Sequence, residues 1–305
     1  MLRLRPIFVA ILLAFAGFAA HGQQPREITI STESAASVWI DGVSYGKTDA
    51  QGSLVIRTVS SGAHTLKIRA AGFKEKSQPL TAVQRGTVKV VLVKTTDEAE
   101  LAFQDGERFT SSDRDKAVEA YRKAVRLRAA YPEAYVAMAR VLTDQGNLDE
   151  AQAMIASARK LKPIYPEASA VQGRIYKEDG EEAKAIAAFK RAISEGKGFQ
   201  PEAYAGLGLL YKEKAETFGG SADFENETKY YDLAADNLSK SLKQLSGAPD
   251  AIVIYQLLGL VYERQKKVSQ AIGLYEEFLR TFPDAPEADA VRSFIVQLKK
   301  NNPGQ

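Results

Sequence analysis

A pattern of apolar and small residues that returns about every 34 positions constrains the fold of this chain more than any other feature. One copy consists of Tyr135, Met138, Ala139, Leu142, Gly146, Ala151, Ile155, Ala158 and Pro163. The next copy consists of Ser169, Gln172, Gly173, Tyr176, Gly180, Ala185, Phe189 and Ala192. The pattern begins again at Tyr204, Leu207, Gly208 and Tyr211, and a last copy comprises Tyr255, Leu258, Gly259, Tyr262, Ala271, Tyr275, Phe278 and Pro283. Each complete copy carries two apolar stripes at helical spacing, so this part of the chain is predicted to be a stack of helix pairs.

These copies resemble the tetratricopeptide repeat. Its first helix reads aromatic-x-x-Leu-Gly-x-x-Tyr, its second reads Ala-x-x-x-Phe-x-x-Ala, and a proline closes the unit. The small residues Gly173, Gly208 and Gly259 are predicted to lie where the two helices of a pair touch. The resemblance implies an all-α, right-handed solenoid that binds a protein or peptide partner.

Five repeats are predicted between residues 97 and 284. They span about 98–131, 132–165, 166–200, 201–247 and 249–284, the first being a rougher copy built on Gly106, Phe109, Ala117, Tyr121 and Ala124. Asp97 and Glu100 are spaced as a capping pair for its first helix. Residues 285–300 are predicted to form a capping helix that shields the end of the stack from solvent.

The fourth repeat departs from the period. Gly208 and Gly259 are 51 positions apart, so about 14 residues are inserted before the second helix. The run Phe218–Ser221 is expected to end one helix, and Asp223 is expected to begin another that runs to about Leu245. Two helices lengthened past the solenoid are therefore predicted, and a disordered loop is the alternative.

The first 22 residues have the pattern of a secretory signal. Arg3 and Arg5 precede 14 uncharged, mostly apolar residues, 7–20, which is too short for the ~20 residues of a spanning helix. Small residues at Ala20 and Gly22 predict cleavage before Gln23. The expectation is export to a periplasmic or extracellular location as a soluble protein, and an uncleaved membrane anchor is the alternative.

Residues 26–94 alternate between apolar and polar side chains with period two. Such pairs predict short strands with one buried face, and turn-forming residues separate them; the pairs include Ile28 and Ile30, Val38 and Ile40, Leu54 and Ile56, and Leu66 and Ile68. The segment is therefore predicted to be a small β-sandwich. The complete expectation is a multidomain β + α chain: an N-terminal β-sandwich followed by the all-α solenoid.

The amino-acid sequence of the predicted sandwich resembles two known modules. The run Ser37-Val38-Trp39-Ile40-Asp41-Gly42, followed by Tyr45-Gly46-Lys47-Thr48, is similar to the PEGA domain. The run Thr48–Gly52, then Gly62–Leu66 and Ala71-Gly72-Phe73, is equally similar to carboxypeptidase regulatory-like domains. Both resemblances imply a non-catalytic accessory or surface-binding module.

Composition argues against most catalytic and cofactor chemistry. The chain has no cysteine, and its two histidines are His21, within the predicted signal, and His64. The sequence shows no phosphate-binding glycine loop, paired-histidine zinc motif or calcium loop. We therefore expect no enzyme, no metal site and no cofactor. The near balance of 41 basic and 38 acidic residues also disfavours a nucleic-acid partner.

The inner faces of the first helices are the candidate binding site. Counting along each helix predicts a basic stripe with an apolar step beyond it, formed by Arg140, Arg174, Lys177 and Lys212 with Leu209 and Leu260. Such a stripe suits an extended peptide that carries acidic and apolar groups. Ordinary solvated charges are the alternative.

The two domains differ in charge. Residues 26–94 hold 10 basic and 5 acidic side chains, and residues 95–305 hold 29 and 33, which gives +5 and −4. The sandwich is thus expected to dock on an acidic flank of the solenoid or to face an anionic envelope surface. Trp39, the only tryptophan, is a candidate platform for a sugar or for the neighbouring domain.

Together these features predict an exported, non-catalytic scaffold whose repeats bind a partner in a cell-envelope assembly. The alternative is a cell-wall or glycan-binding module, in which the sandwich contacts carbohydrate and the repeats recruit a partner. No membrane span is expected in the mature chain.

Overall fold

The computed structural model describes residues 26–302, so the predicted signal and its cleavage site lie outside the described residues. Seven strands come first: β1 (Arg26–Ser31), β2 (Ser37–Ile40), β3 (Val43–Lys47), β4 (Ser53–Val59), β5 (His64–Arg69), β6 (Lys76–Leu80) and β7 (Gly86–Lys89). Eleven helices follow: α1 (Glu98–Phe109), α2 (Arg114–Leu127), α3 (Pro132–Asp144), α4 (Leu148–Leu161), α5 (Pro166–Glu178), α6 (Glu182–Glu195), α7 (Pro201–Gly220), α8 (Phe224–Leu245), α9 (Ala251–Arg264), α10 (Val268–Thr281) and α11 (Ala288–Asn301). A small two-sheet β region followed by a helical solenoid confirms the predicted fold class.

The strands form two sheets that enclose one apolar layer. One sheet has the order β4-β1-β7 and the other β3-β2-β5-β6. In the first sheet, Ile30 lies opposite Leu54 of antiparallel β4 and opposite Val88 of parallel β7. Most residues that the period-two pattern selects are buried, namely Ile28, Ile30, Val38, Ile40, Ile56, Leu66 and Ile68, whereas Leu54 is half-buried.

Helices α1 to α10 pack as five consecutive pairs. Each first helix contacts its own second helix, and the first helices α3, α5, α7 and α9 also contact one another in succession. This second set of contacts gives the array a continuous inner face made of first helices. Pro132, Pro166 and Pro201 begin three of them, and the glutamate that follows each proline places a negative charge in the first turn, where the helix dipole favours it.

Close approach within the pairs depends on the small residues that the sequence singled out. A Cβ at Gly208 would lie 2.6 Å from Cγ of Leu238, and one at Gly259 would lie 2.2 Å from the Tyr275 hydroxyl. Both distances are shorter than van der Waals contact, so any larger residue must push the partner helix away. This confirms that the two helices touch at these positions.

The additional residues of the fourth repeat lengthen both of its helices. Helix α7 has 20 residues and α8 has 22, and the side chain of Asp223 caps α8 by accepting from the Asn226 amide. The rings of Phe218 and Tyr230 stack across the pair at 5.3 Å between centroids. The segment is therefore a helical projection and not a disordered loop.

Helix α11 closes the last pair. Ile295 is buried against α10, and the ring of Phe294 meets Tyr275 edge-on with centroids 5.5 Å apart. Its opposite face is exposed, as expected of a cap. Within residues 26–302, no helix combines the length and the apolarity that crossing a membrane requires.

Candidate binding groove and interdomain cavity

The four cations of the predicted basic stripe are all held in ion pairs within the array. Arg140 of α3 binds Glu202 of α7 with two hydrogen bonds, of which Nη1 to Oε1 is 2.6 Å. Arg174 pairs with Asp144 of the preceding repeat. The two lysines are paired as well, Lys177 with Glu213 at 3.1 Å and Lys212 with Glu216 at 2.8 Å. The inner face therefore presents neutralised pairs and not four unpaired cations.

The apolar part of the candidate groove is only partly accessible. Leu209 is half-buried and Leu260 is 36% exposed. Three further residues of α3 and α5 are buried in the packing between helices: Val136, Thr143 and Ala170. Helical spacing alone does not show how deeply a neighbouring helix covers the inner face.

The β-sandwich docks on the first repeat through an ion pair between a buried arginine and a partly buried glutamate. Arg69 of β5 is 9% exposed and binds both Glu75 of its own domain and Glu107 of α1. Its guanidinium also lies 4.6 Å from the ring centroid of Phe103. Burial raises the pKa of Glu107 above its ordinary value, although the Arg69 charge opposes that shift. A basic sandwich docked on an acidic flank of the solenoid was one of the two expectations from the charge difference.

Hydrogen bonds between side chains of α1 and the backbone of the sandwich support the same contact. The side-chain amide of Gln104 accepts from the Gly72 amide and donates to the Phe73 carbonyl, both at 2.8 Å. Glu100, expected to complete a capping pair with Asp97, instead accepts from the Glu75 amide at 2.8 Å. Asp97 alone caps α1, because its carboxylate accepts from two amides of the first turn.

The sandwich also contacts the array at the connection between α8 and α9. The Ser246 hydroxyl, just after α8, donates to the Thr58 carbonyl at 2.7 Å. The Tyr45 hydroxyl lies 3.4 Å from the Leu245 carbonyl, and burial raises the pKa of Tyr45 to about 12, so it remains a donor at neutral pH. The sandwich is therefore held at α1 and at the α8–α9 connection, and it spans the inner face between them.

A cavity of about 560 Å³ lies between the two domains. The sandwich contributes the β2–β3 hairpin, and the repeats contribute the starts of α5, α7 and α9 together with Arg140 and the last turns of α8. The lining residues are Trp39, Asp41, Gly42, Val43, Ser44, Arg140, Pro166, Glu167, Phe199, Gln200, Pro201, Glu202, Ala205, Ser241, Leu245, Asp250 and Ile254. Of the candidate site residues, Arg140 and Trp39 meet at this cavity.

Trp39 takes an interdomain position. Its side chain is half-buried, and its ring lies 4.7 Å from the Lys67 ammonium and 5.4 Å from the Arg69 guanidinium. Because Arg69 also binds Glu107 of the solenoid, Trp39 belongs to the contact between the domains. A platform for the neighbouring domain was one of the two roles that the sequence suggested for this ring.

Arg159, Ser169 and Glu195 form a polar cluster inside the repeats. It resembles a catalytic arrangement, but its groups are hydrogen-bonded to one another. The Ser169 hydroxyl donates to Glu195 at 2.6 Å, and Arg159 binds both residues. Although burial opposes it, bonding to Arg159 and Ser169 lowers the pKa of Glu195. All three groups are therefore occupied in joining α4, α5 and α6. In residues 26–302, no three His, Asp or Glu side chains come close enough together to hold a metal ion.

Comparisons with known proteins identify the helical part. Sequence models described as tetratricopeptide repeat match residues 108–175, 166–195 and 255–285. The chain thus contains tetratricopeptide repeats, and this part of the predicted resemblance is confirmed. No curated protein matches the chain.

Several solved structures are similar to part of this chain. The yeast Tom70 structure is 16% identical, with a TM-score of 0.52 over 68% of this chain and 41% of that one. The MamA structure is 22% identical, with a TM-score of 0.42 over 64% of this chain and 96% of that one. A thermophilic TPR protein of Thermus thermophilus, TTC0263, is 17% identical, with a TM-score of 0.48 over 66% of this chain and 98% of that one.

Proposed function

We propose that this protein is an exported, non-catalytic scaffold that binds a polypeptide partner on the inner face of its repeats, within a cell-envelope assembly. The observation that carries the proposal is the continuous inner face of first helices, which contact one another from α3 to α9. Stacked repeats of this kind present extended concave surfaces suited to polypeptides. Export rests on the apolar, arginine-flanked first 22 residues and on the predicted cut before Gln23.

The contact surface of the proposed partner includes the candidate groove residues Arg140, Arg174, Lys177, Lys212, Leu209 and Leu260. Since each of the four cations already binds a carboxylate, the partner meets alternating charges with two apolar side chains among them. This pattern supports recognition by shape and hydrogen bonding more than attraction of an acidic ligand.

We further propose that the sandwich is of PEGA or carboxypeptidase regulatory-like type and acts as an accessory domain. Its two attachments to the repeats support a role in shaping the groove. The position of Trp39 between the domains favours this role over the alternative, a cell-wall or glycan-binding module with the ring as an exposed sugar platform. Saturation-transfer NMR with peptidoglycan fragments distinguishes the two.

Site-specific photo-cross-linking in the native host tests the scaffold. A photo-reactive residue at Leu209 or Leu260 should capture one partner polypeptide in the envelope fraction, identified by mass spectrometry. The same residue at Val296, an exposed apolar position on the cap helix, is the matched control and should capture nothing in common with them. Identical products from all three positions would contradict a groove-specific partner.

Intact-mass measurement of the native protein tests export. Cleavage before Gln23 gives a mature chain that begins at that residue and fractionates with the envelope or the medium. A mass that retains residues 1–22 would contradict cleavage and support the anchor.

A further inference from the structure

One side of the β-sandwich carries positive charge that is not paired. Between residues 70 and 94 the only side-chain carboxylate is that of Glu75, and it binds Arg69. The same segment has five cations: Lys74, Lys76, Arg85, Lys89 and Lys94. Within residues 26–302 none of these five forms an ion pair, whereas every cation of the predicted basic stripe does. Positive charge is thus available on the sandwich and not on the inner face of the repeats.

Hydrogen bonds bring three of these lysines beside the segment that follows β7. The Lys74 amide donates to the Val93 carbonyl at 2.8 Å, and the Lys76 ammonium donates to the Val91 carbonyl at 3.1 Å. Lys94 is the next residue after Val93 and takes part in the same antiparallel pairing. The three lysines therefore lie next to Val91 and Val93 at one edge of the sandwich.

Every second side chain from Lys89 to Val93 points outward. Lys89, Val91 and Val93 are exposed, and the residues between them are buried. Val91 is 64% exposed and Val93 is 65% exposed. Arg85 and the 84%-exposed Val83 come just before β7, and Arg85 lies about 13 Å from Lys89 along that strand. We call this surface the basic face; it consists of Lys74, Lys76, Arg85, Lys89 and Lys94 with Val83, Val91 and Val93.

An anionic membrane attracts such a surface in two ways. Each lysine or arginine near the headgroups is attracted by the negative surface potential, and exposed apolar side chains enter the boundary between headgroups and acyl chains. A soluble polyanion would pair with the cations but would leave the three valines in water. The mixture of cations and valines therefore favours a membrane over an acidic polypeptide or a nucleic acid.

We infer that the basic face binds the surface of a membrane that contains anionic phospholipid. The inference rests on the proposed function, because it names the envelope component that the sandwich of an exported scaffold contacts. No residue of the basic face lines the interdomain cavity or belongs to the candidate groove, so the chain can bind the membrane and a polypeptide at the same time. Arg69 serves docking on the solenoid, and the basic face serves contact with an anionic surface.

Vesicle flotation tests the inference. The chain is taken from Gln23 to Gln305, so that the apolar residues 7–20 do not themselves bind lipid. The probes are vesicles of phosphatidylcholine alone and of phosphatidylcholine mixed with an equal part of phosphatidylglycerol. The protein should float with the mixed vesicles and not with the neutral ones, and raised salt should weaken the binding.

Removing two charges from the basic face should weaken the affinity for the mixed vesicles. Lys74→Gln combined with Lys89→Gln should lower this affinity about tenfold or more. Lys160→Gln combined with Lys190→Gln is the matched control, since both lysines are exposed on second helices and the change in net charge is the same. The affinity of the control should equal that of the wild type.

A fluorescent label shows which surface touches the membrane. The chain has no cysteine, so Val91→Cys provides a single site for an environment-sensitive fluorophore. Its emission should rise and shift to the blue when the mixed vesicles are added. The Val296→Cys variant, labelled in the same way, is the control: Val296 is 67% exposed on the cap helix, and the emission there should not change.

Failure to float with the mixed vesicles overturns the inference, as does equal binding to the neutral vesicles or an equal response of the label at Val296. Soluble poly-glutamate that binds as tightly as the mixed vesicles overturns the membrane assignment, since the face would then take an acidic polypeptide. The outcome is separable from the scaffold proposal. If Leu209 cross-links a partner and the vesicles fail to bind, the scaffold stands and the membrane contact fails.

Discussion

The Ser246 hydroxyl donates a hydrogen bond to the Thr58 carbonyl 2.7 Å away, although 188 positions separate the two residues in the chain. At the other end of the sandwich, Arg69 binds Glu107, only 38 positions away. The first contact therefore joins residues that are far apart in the chain. The second joins residues on either side of the short connection between the domains. Together they make the sandwich and the first four repeats a closed unit.

Gly247 should be essential to the contact between Ser246 and Thr58. It has φ +76°, and a Cβ there would lie 2.5 Å from Oγ1 of Thr58. We expect Gly247→Ala to incur both the ~1 kcal/mol cost of a left-handed alanine and a steric clash that separates the domains. The measurements are the thermal midpoint and amide exchange of the α8–α9 connection, which should become faster.

Gly146→Ala is the matched control for this experiment. Gly146 has φ +77° and no atom within 4 Å of the added Cβ, so it incurs the backbone cost alone. Equal losses of stability in the two variants, with unchanged exchange at the connection, would mean that the sandwich does not close on this end.

Arg69 should contribute most of the electrostatic stabilisation of the contact between β5 and α1. Arg69→Met leaves the partly buried Glu107 without its cation, and we expect a loss of about 1–3 kcal/mol of unfolding free energy. Arg57→Met is the control. Arg57 and its partner Glu27 are both exposed, and their charged atoms are 3.6 Å apart. Such surface pairs contribute at most about 1 kcal/mol. Similar urea midpoints for the two variants would contradict a buried arginine at this contact.

The unfolding free energy of the Arg69→Met variant should change with pH in a defined direction. Burial holds the pKa of Glu107 above its ordinary value, and loss of Arg69 removes the main opposing influence. The folded state then binds a proton more readily than the unfolded state, so the variant gains stability as pH falls through the raised pKa toward the ordinary one. Urea titrations of wild type and variant at several pH values should converge on the acid side. A gap that widens as pH falls would contradict this assignment.

The parts of the fold that sequence could predict are those set by neighbours in the chain or by the repeat. The contact between Gly208 and Leu238 follows from the repeat, and the start of α8 at Asp223 follows from its capping side chain. The docking of Ser246 on Thr58 could not be predicted in this way. A serine before a glycine is an ordinary helix-end signal, and nothing local shows that another domain will lie against it.

The candidate site shows the same division. Helical spacing predicted that Arg140 and Arg174 lie on the inner faces of their first helices. It could not show that Glu202, 62 positions after Arg140, would bind it, because that pairing depends on the distance between two first helices. Nor could it reveal the cavity, whose walls come from both domains.

The close helix contact at Gly208 should not tolerate even one methyl group. A Cβ there would lie 2.6 Å from Cγ and 3.3 Å from the backbone nitrogen of Leu238, so Gly208→Ala should cost about 1–3 kcal/mol. Gly273 lies on the exposed surface of α10, and no atom lies within 4 Å of an added Cβ. Gly273→Ala should therefore stabilise the protein by up to about 1 kcal/mol through helix propensity. Circular dichroism melts measure both. Equal shifts of the same sign would mean that α7 and α8 do not approach closely at this glycine.

The ion pair between Arg140 and Glu202 should stabilise the array across a whole repeat. Both side chains are half-buried, and the two hydrogen bonds join α3 to α7 past α5. Reversing one charge, as in Arg140→Glu, brings two carboxylates together at a partly buried site, and we expect a loss of about 1–2 kcal/mol.

The charge-swapped double variant Arg140→Glu with Glu202→Arg separates this pairing from a simple effect of size or net charge. It restores opposite charges at the same two positions, so most of the lost stability should return, and the coupling energy follows from the double-mutant cycle. Lys299→Glu on the cap is the control, since Lys299 pairs with Glu276 at the exposed end of the stack and its reversal should shift the melt little. Additive losses in the double variant would mean that the two residues do not interact in solution. In that case Arg140 would be unpaired on the inner face, and the basic groove predicted from sequence would again be the better description of the site.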